Sequence, residues 1–598
     1  MKPINRFKLF TLFFTVSLFF TGCLPKGVDE NISAQELHEH VSYLASDSLQ
    51  GRRSGSDKGL LSAQYIRDQF LKAGIDLGEN KGLQEFEMIT DVQLGINNSL
   101  ILENQDLELN IDFAPYSFSS NDQINTEVVF CGYGFEIEND SLQWNDYAVD
   151  VKDKCVLIFR ASPDYTNPNS GFISFEGERN KVLTAKDHGA AAVLFVSPVE
   201  MAKEDKLVSL YFDKTSSGAG IPVMHISRVT ANKIIKNSNY TIEELEKTIN
   251  TNYKESSFNT HQIVSISTDI LLKKEMAQNV VAIIPGNDKE LEEEYIIIGA
   301  HYDHLGMGGP GSGSRSPDTV AVHNGADDNA SGVSSIIEMA EYFSNKSIKT
   351  KRTLIFVAFD AEEMGLLGSK HFTKNPIIDL KKVSAMFNFD MIGRLKNDSK
   401  VLAIGGTGTS LQADSILKLH LDSSLFTLAL SPNGYGPSDH AAFYTENIPV
   451  FFFSTGAHSD YHTPFDDVDS LDFNSQLNIT HYALKVIESV ANHNQKLDFR
   501  ESGEKRKTTQ RANLKVTLGI IPDFSGITKN GLGIDGVRKG GPADLSGMQK
   551  GDVIIAIDGL SVGNIYDYMN RLKKLQPGKT ITVEVSRAGN KKVLIVQL

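Results

Sequence analysis

Between residues 279 and 454 the chain returns repeatedly to short runs that are apolar almost without interruption. The runs 279–284, 295–300, 352–359, 385–389, 401–404 and 449–453 hold too little polarity for strands with one face in water. Strands covered on both faces read this way, and helices must supply the covers. A helical stretch from about Gly332 to Phe343 falls between two of the runs. The alternation predicts an α/β fold built on a mostly parallel, mixed sheet flanked by helices. In such folds ligands gather beyond the carboxyl ends of the strands.

Polar residues cluster at just those ends. His301-Tyr302-Asp303-His304 follows one strand, and Asp327-Asp328-Asn329-Ala330-Ser331-Gly332 opens the next helix. Asp360-Ala361-Glu362-Glu363 and Asp390 each follow another strand, and Tyr461-His462 lies in the loop after the last one. Parallel strands place all of these on one rim. Imidazole nitrogens and carboxylate oxygens suit divalent ions of borderline or hard character. A carboxylate bridging two ions about 3.5–4 Å apart makes a co-catalytic site. Acidic residues also cap helices and turns, but capping alone does not explain why every cluster ends a buried strand or begins a helix.

These segments, with Glu362-Glu363-Met364-Gly365-Leu366-Leu367-Gly368-Ser369 and Asn388-Phe389-Asp390-Met391-Ile392-Gly393, resemble peptidase family M28, the two-zinc exopeptidases. The resemblance implies a zinc-exopeptidase (phosphorylase/hydrolase-like) fold and two Zn²⁺ ions. Asp328 is then the bridging ligand, His301 and Asp390 hold one ion, and Glu363 and His462 hold the other. Glu362 is the implied general base, Tyr461 faces the developing oxyanion, and Asp303 orients His301. The implied activity is removal of N-terminal residues from peptides with a free N-terminus. A zinc carboxypeptidase is the first alternative; it needs a cation for the substrate carboxylate, and Arg315, Arg352 and Arg394 are its candidates. An inactive peptidase fold acting through its accessory modules is the second, against which all five ligands and Glu362 are present. Asp439-His440 and His304 stay open between structural hydrogen bonding and substrate contact. Arg52 and Arg53 read as solvated turn residues rather than substrate contacts.

At 598 residues the chain needs several domains. Residues 121–265 shift to short β-rich runs and resemble a protease-associated (PA) domain, including Val129–Gly134, inserted after a first peptidase segment at 24–120. The catalytic region then spans 266–498, a charged linker 499–513, and a PDZ-like module 514–598. Its Gly531-Leu532-Gly533-Ile534 resembles the loop that binds a ligand's C-terminal carboxylate. Residues 1–22 read as a signal peptide, and Phe20-Thr21-Gly22-Cys23 resembles a bacterial lipobox, although Phe20 replaces the usual aliphatic residue. Cys23 would then carry lipid and anchor the exported protein in the bacterial cell envelope, in the periplasm or at the outer membrane. A net charge of −16 argues against a nucleic-acid partner. Cys131 and Cys155 are either bonded or two buried thiols.

Overall fold

The computed structural model describes residues 32–502 and 516–598, apart from 79–80, 139–140, 168, 213–217, 397, 524–527, 529 and 538–539. The expected signal segment, Cys23 and most of the expected linker lie outside the described residues.

The apolar runs form the centre of an eight-stranded mixed sheet. Its order is Leu83–Leu94, Ile270–Ile284, Thr353–Phe359, Tyr295–His301, Val383–Phe389, Val450–Ser454, Val401–Gly405 and Thr427–Leu430. The four strands from Thr353–Phe359 to Val450–Ser454 are mutually parallel, so their carboxyl ends share one rim. Alternate side chains leave on opposite faces. Ile296 and Ile298 pack with Phe70, Ile336 and Ile487 under helices Asp57–Lys72, Gly332–Ser344 and Phe473–Asn492. Ile297, Ile355 and Val357 pack on the other side with Phe372 and Phe443. Both faces are dry, which is why the strands read as continuous apolar runs.

The chain leaves this sheet after Leu83–Leu94 and re-enters it at Ile270–Ile284, the two strands pairing antiparallel. What lies between folds around a second eight-stranded sheet. Strands Ser99–Leu102, Gln105–Asp106 and Phe113–Pro115 already belong to it, ahead of the boundary expected at 121. They are short and lack the apolar length that marks a strand in sequence. Cys131 and Cys155 lie in this unit, buried and unbridged. Among the described residues no helix is long and apolar enough to cross a membrane.

The third unit is a β-sheet in the order Ile520–Pro522, Leu532–Val537, Val553–Ile557, Thr580–Arg587 and Asn590–Gln597. Among the described residues, the strand that Gly531–Ile534 opens pairs with Ile520–Pro522 on one side and with Val553–Ile557 on the other. The edge strands of this order are Ile520–Pro522 and Asn590–Gln597. The unit touches both others: Arg571 grips Asp187 of the insert, and Lys370 and Lys374 lie 3.9 and 3.5 Å from Asp535.

Ile298 is fully buried in the central strand of the catalytic sheet. Ile298→Ala should destabilise that domain by about 2–5 kcal/mol, read from its urea transition; a loss under about 1 kcal/mol would mean that the core closes around the gap.

Candidate metal centre

His301 is the last residue of its strand, and its buried ring turns Nδ1 inward and Nε2 toward the rim. Nδ1 lies 3.2 Å from the Asp303 carbonyl. Nε2 lies 3.3 Å from Asp328 Oδ1 and 3.5 Å from Asp390 Oδ1. On the other side His462 Nε2 lies 3.2 Å from Asp328 Oδ2 and 3.3 Å from Glu363 Oε1. Two donors each about 2.0–2.1 Å from a tetrahedral ion stand about 3.3–3.4 Å apart, so these spacings are those of ligands around a common cation. Asp328 contributes one oxygen to each group, as a bridging carboxylate must. Two candidate metal-binding clusters are thus present. One gathers donors from His301, Glu362 and Asp390, the other from His304, Asp328 and Glu363, each within 4.8 Å. The nitrogen and carboxylate donor set suits zinc.

The side chains charge one another strongly. The His301 pKa stands well above its ordinary value: burial opposes the proton, but Glu362, Asp390, Asp303 and Asp328 outweigh it. His462 is likewise raised to about 10, with burial outweighed by Asp328 and Glu363. Glu362 is pushed well up by burial, and by Glu363, Asp439 and Asp390, against the pull of His301. Tyr461 stacks on the His462 ring at 3.9 Å, and burial together with the surrounding carboxylates raises its hydroxyl. Asp303 does something the sequence did not suggest. Its carboxylate stands 3.7 Å from His301 Nδ1 but accepts the backbone N–H groups of Glu362 and Glu363, at 3.0 and 3.3 Å, and the Ser54 hydroxyl. It therefore fixes the turn that carries both glutamates.

Several supporting residues escaped sequence reading. Arg52, expected in solvent, is 1% exposed. Its guanidinium donates to the carbonyls of Leu44, Tyr302, Asn324 and Gly325, behind the clusters. The neighbouring Gly51 permits this: at φ +70° it lies so close to Gly306 and His323 that a Cβ would meet their carbonyl oxygens at 2.4 and 2.5 Å. Asp466, also buried, accepts the N–H groups of Asp327 and Asp328. Asn329 accepts from Met391 and Gly332 and donates to Phe389. A charged residue in a glycine-punctuated turn carries no mark of burial, and Asp466 resembles any loop aspartate. Only the DDNAS pattern around Asn329 was a signal. His440 stacks on Phe452 at 4.4 Å, and burial lowers its pKa to about 3, which gives it a structural place. A cavity of about 300 Å³ beside Asp303, His304 and Glu363 is lined from the insert by Tyr211 and Phe212.

In the metal-free protein the His301 and His462 rings carry protons at pH 7, because both pKa values are raised. Ligation needs neutral imidazole, so metal loading must expel protons, and affinity should rise as pH rises from 6 to 8. Calorimetric titration in buffers of different ionisation enthalpy measures this; a binding heat independent of buffer contradicts it.

Residues 279–487 match the sequence profile of peptidase family M28, residues 122–234 that of the PA domain, and residues 508–598 that of the PDZ domain. A probable leucine aminopeptidase of Arthroderma otae is 31% identical over 209 residues, 33% of this chain and 53% of its own length. Aminopeptidase YwaD of Bacillus subtilis is 27% identical over 340 residues, 54% of this chain and 60% of its own length. The chain thus spans just over half the length of these curated relatives. A solved aminopeptidase from Aneurinibacillus sp. strain AM-1 is 22% identical, with a TM-score of 0.46 over 78% of this chain and 95% of that one. Residues 279–487, which hold every donor of the two clusters, are thus similar to peptidase family M28, with a PA-like unit inserted ahead of them and a PDZ-like unit after them.

Proposed function

We propose that the protein is a two-zinc aminopeptidase. The observation that carries this reading is the sharing of Asp328 between two histidine–carboxylate clusters with Glu362 at their side. His301, Asp328 and Asp390 hold one zinc and Asp328, Glu363 and His462 the other. When bound, the ions supply Lewis acidity toward water and the scissile carbonyl. Glu362 takes a proton from the attacking water and delivers it to the leaving amine, a task suited to a carboxyl whose pKa is raised by burial. Tyr461 keeps its proton among the surrounding carboxylates and donates a hydrogen bond to the oxyanion. Asp303 holds the backbone of Glu362 and Glu363 so that base and ligand keep their spacing.

The arginines disfavour the carboxypeptidase alternative. Arg352 is buried just ahead of its strand, at the end opposite the rim, against Glu294. Arg394 is engaged by Asp460 and His458, and Arg315 donates to the Ser459 carbonyl. The acidic rim instead suits a protonated N-terminal amine, and the relatives named as aminopeptidases point the same way. The intact base and ligand set leaves no reason to prefer an inactive fold.

The PDZ unit receives an extended C-terminal peptide, and its free edge at Ile520–Pro522 is the place for strand addition. That edge borders a cavity of about 630 Å³ shared with helix Leu367–Lys374, lined also by Lys370, Lys374 and Lys550. The lipobox-like segment ending at Cys23 supports an exported protein held to a bacterial envelope membrane by lipid.

The test is mass-spectrometric cleavage of a peptide panel with N-termini free or acetylated and C-termini free or amidated. Acetylation should block cleavage and amidation should not; the reverse pattern makes the enzyme a carboxypeptidase. Glu362→Gln should lower kcat by about 10²–10⁴ while zinc content stays the same. Full activity in that variant removes Glu362 from the chemistry.

A further inference from the structure

His462 is the most exposed of the proposed zinc ligands, at 15% of its side chain, and it sits in a loop rather than at a strand end. His301 has the Asp303 carbonyl behind its ring. Behind the His462 ring stands the Gly313 carbonyl, 3.1 Å from Nδ1. A carbonyl only accepts, so Nδ1 carries a proton and Nε2 is the donor turned toward Asp328 and Glu363. The same segment grips the backbone beside it. The Arg315 N–H donates to the His462 carbonyl at 2.9 Å, and the Arg315 guanidinium donates to the Ser459 carbonyl at 3.2 Å.

Gly313 is an awkward place from which to orient a ligand. Residues 305–314 are dense in glycine, and Gly308 and Gly313 hold φ of +67° and +98°. Such a backbone has many conformations open to it, so its carbonyl keeps one place only where side chains fasten the loop. His323 is such a fastener. Its ring is fully buried, and Nδ1 donates to the Ala321 carbonyl at 3.0 Å. Burial holds its pKa below the ordinary value, so the ring is neutral and Nε2 accepts. The Ser314 hydroxyl, one residue beyond Gly313, donates to that nitrogen at 2.8 Å. Gly308 leaves room for the ring, since a Cβ there would stand 2.3 Å from it. The His323 N–H donates to the Gly306 carbonyl at 2.9 Å, so one residue ties the loop near both ends.

We infer that His323 is a positioning residue for His462, an inference that rests on the two-zinc reading. By accepting the Ser314 hydroxyl it holds the Gly313 carbonyl against His462 Nδ1, and so keeps Nε2 aimed at Asp328 and Glu363. The ion held by Asp328, Glu363 and His462 then depends on His323 through Ser314 and Gly313, while the ion at His301 and Asp390 does not. The alternative is a histidine that only fills the space beside Gly308, with the Gly313 contact standing without it.

Zinc titration of the full chain against a competing chelator separates these cases without an activity assay. Hydrogen exchange in the metal-free chain gives a second readout at the Tyr461 and Thr463 amides, which are bonded to the His458 and Asp460 carbonyls. Ser314→Ala removes the hydroxyl and adds no bulk. It should weaken one of the two zincs about tenfold, leave the other unchanged, and speed exchange at both amides. His323→Leu should do the same. His323→Gln, whose amide can donate to Ala321 and accept from Ser314, should restore the wild-type affinity. The Ser314→Ala, His323→Leu double variant should be no weaker than His323→Leu, because both changes cut one link. Wild-type affinities in Ser314→Ala overturn the inference, and so does equal weakening of both ions. Fewer than two zincs on the wild-type chain overturns the two-zinc reading, and the inference with it. Ser314→Ala decides the matter even if the His323 variants fail to fold.

Discussion

The site depends on holding several carboxylates together in a water-poor place. Asp303, Asp328, Glu362, Glu363 and Asp390 crowd one end of the sheet, and Asp466 lies just beneath. Like charges at such distances repel strongly unless positive charge or backbone dipoles meet them. Arg52 is the permanent positive charge of the arrangement. Burial lowers its pKa only to about 10, because Asp328, Asp303, Asp466 and Glu363 work against the loss of its proton. Its hydrogen bonds go to backbone carbonyls rather than to the acids, so it fixes the loops while its charge offsets the carboxylates from behind.

The remaining order comes from a reciprocal arrangement of the ligand loops. Asp303, from the first loop, accepts the amides that carry Glu362 and Glu363. Asp466, beyond His462, accepts the amides of Asp327 and Asp328. Asp327 and Asn329 accept the amides of Gly393 and Met391, just after Asp390. Three of the donor-bearing segments are thus each held by a side chain from another loop. Substitutions among these residues should combine non-additively, as they do wherever groups share partners.

This interlock explains what the sequence could and could not disclose. The central strands were legible because burial on both faces writes a continuous apolar run, as in Tyr295–His301. The clustered donors were legible because His301, Glu362, Glu363 and Asp390 lie at or just past the ends of buried strands, and because the order of the segments resembles a known family. The supports were not. Arg52 and Asp466 are ordinary charged residues whose burial follows from tertiary packing alone, and Asp303 carries a second task visible only where the Glu362 amide meets it. The early strands of the insert, such as Ser99–Leu102, were too short to register. In the PDZ unit the glycine pattern at Gly531–Ile534 marks a strand flanked on both sides, and the two edge strands, Ile520–Pro522 and Asn590–Gln597, carry no comparable pattern.

The three units also constrain one another through the cleft. Tyr211 and Phe212 of the insert line one side of the cavity that opens beside Glu363 and Met364. The position of the insert therefore sets the width of that cavity. The insert is tied to the peptidase sheet through the paired strands Leu83–Leu94 and Ile270–Ile284 at its base, and at a distance by the third unit. Helix Ile565–Lys573 of that unit lies against Glu178–Asp187 of the insert, with Arg571 and Asp187 paired bidentately. The same unit reaches the helix that follows Glu363 through Lys370, Lys374 and Asp535. It thus bridges the wall of the cleft and the element next to the proposed base. The Ile520–Pro522 edge and that helix line one cavity, so the third unit and the segment that follows Glu363 share a single surface.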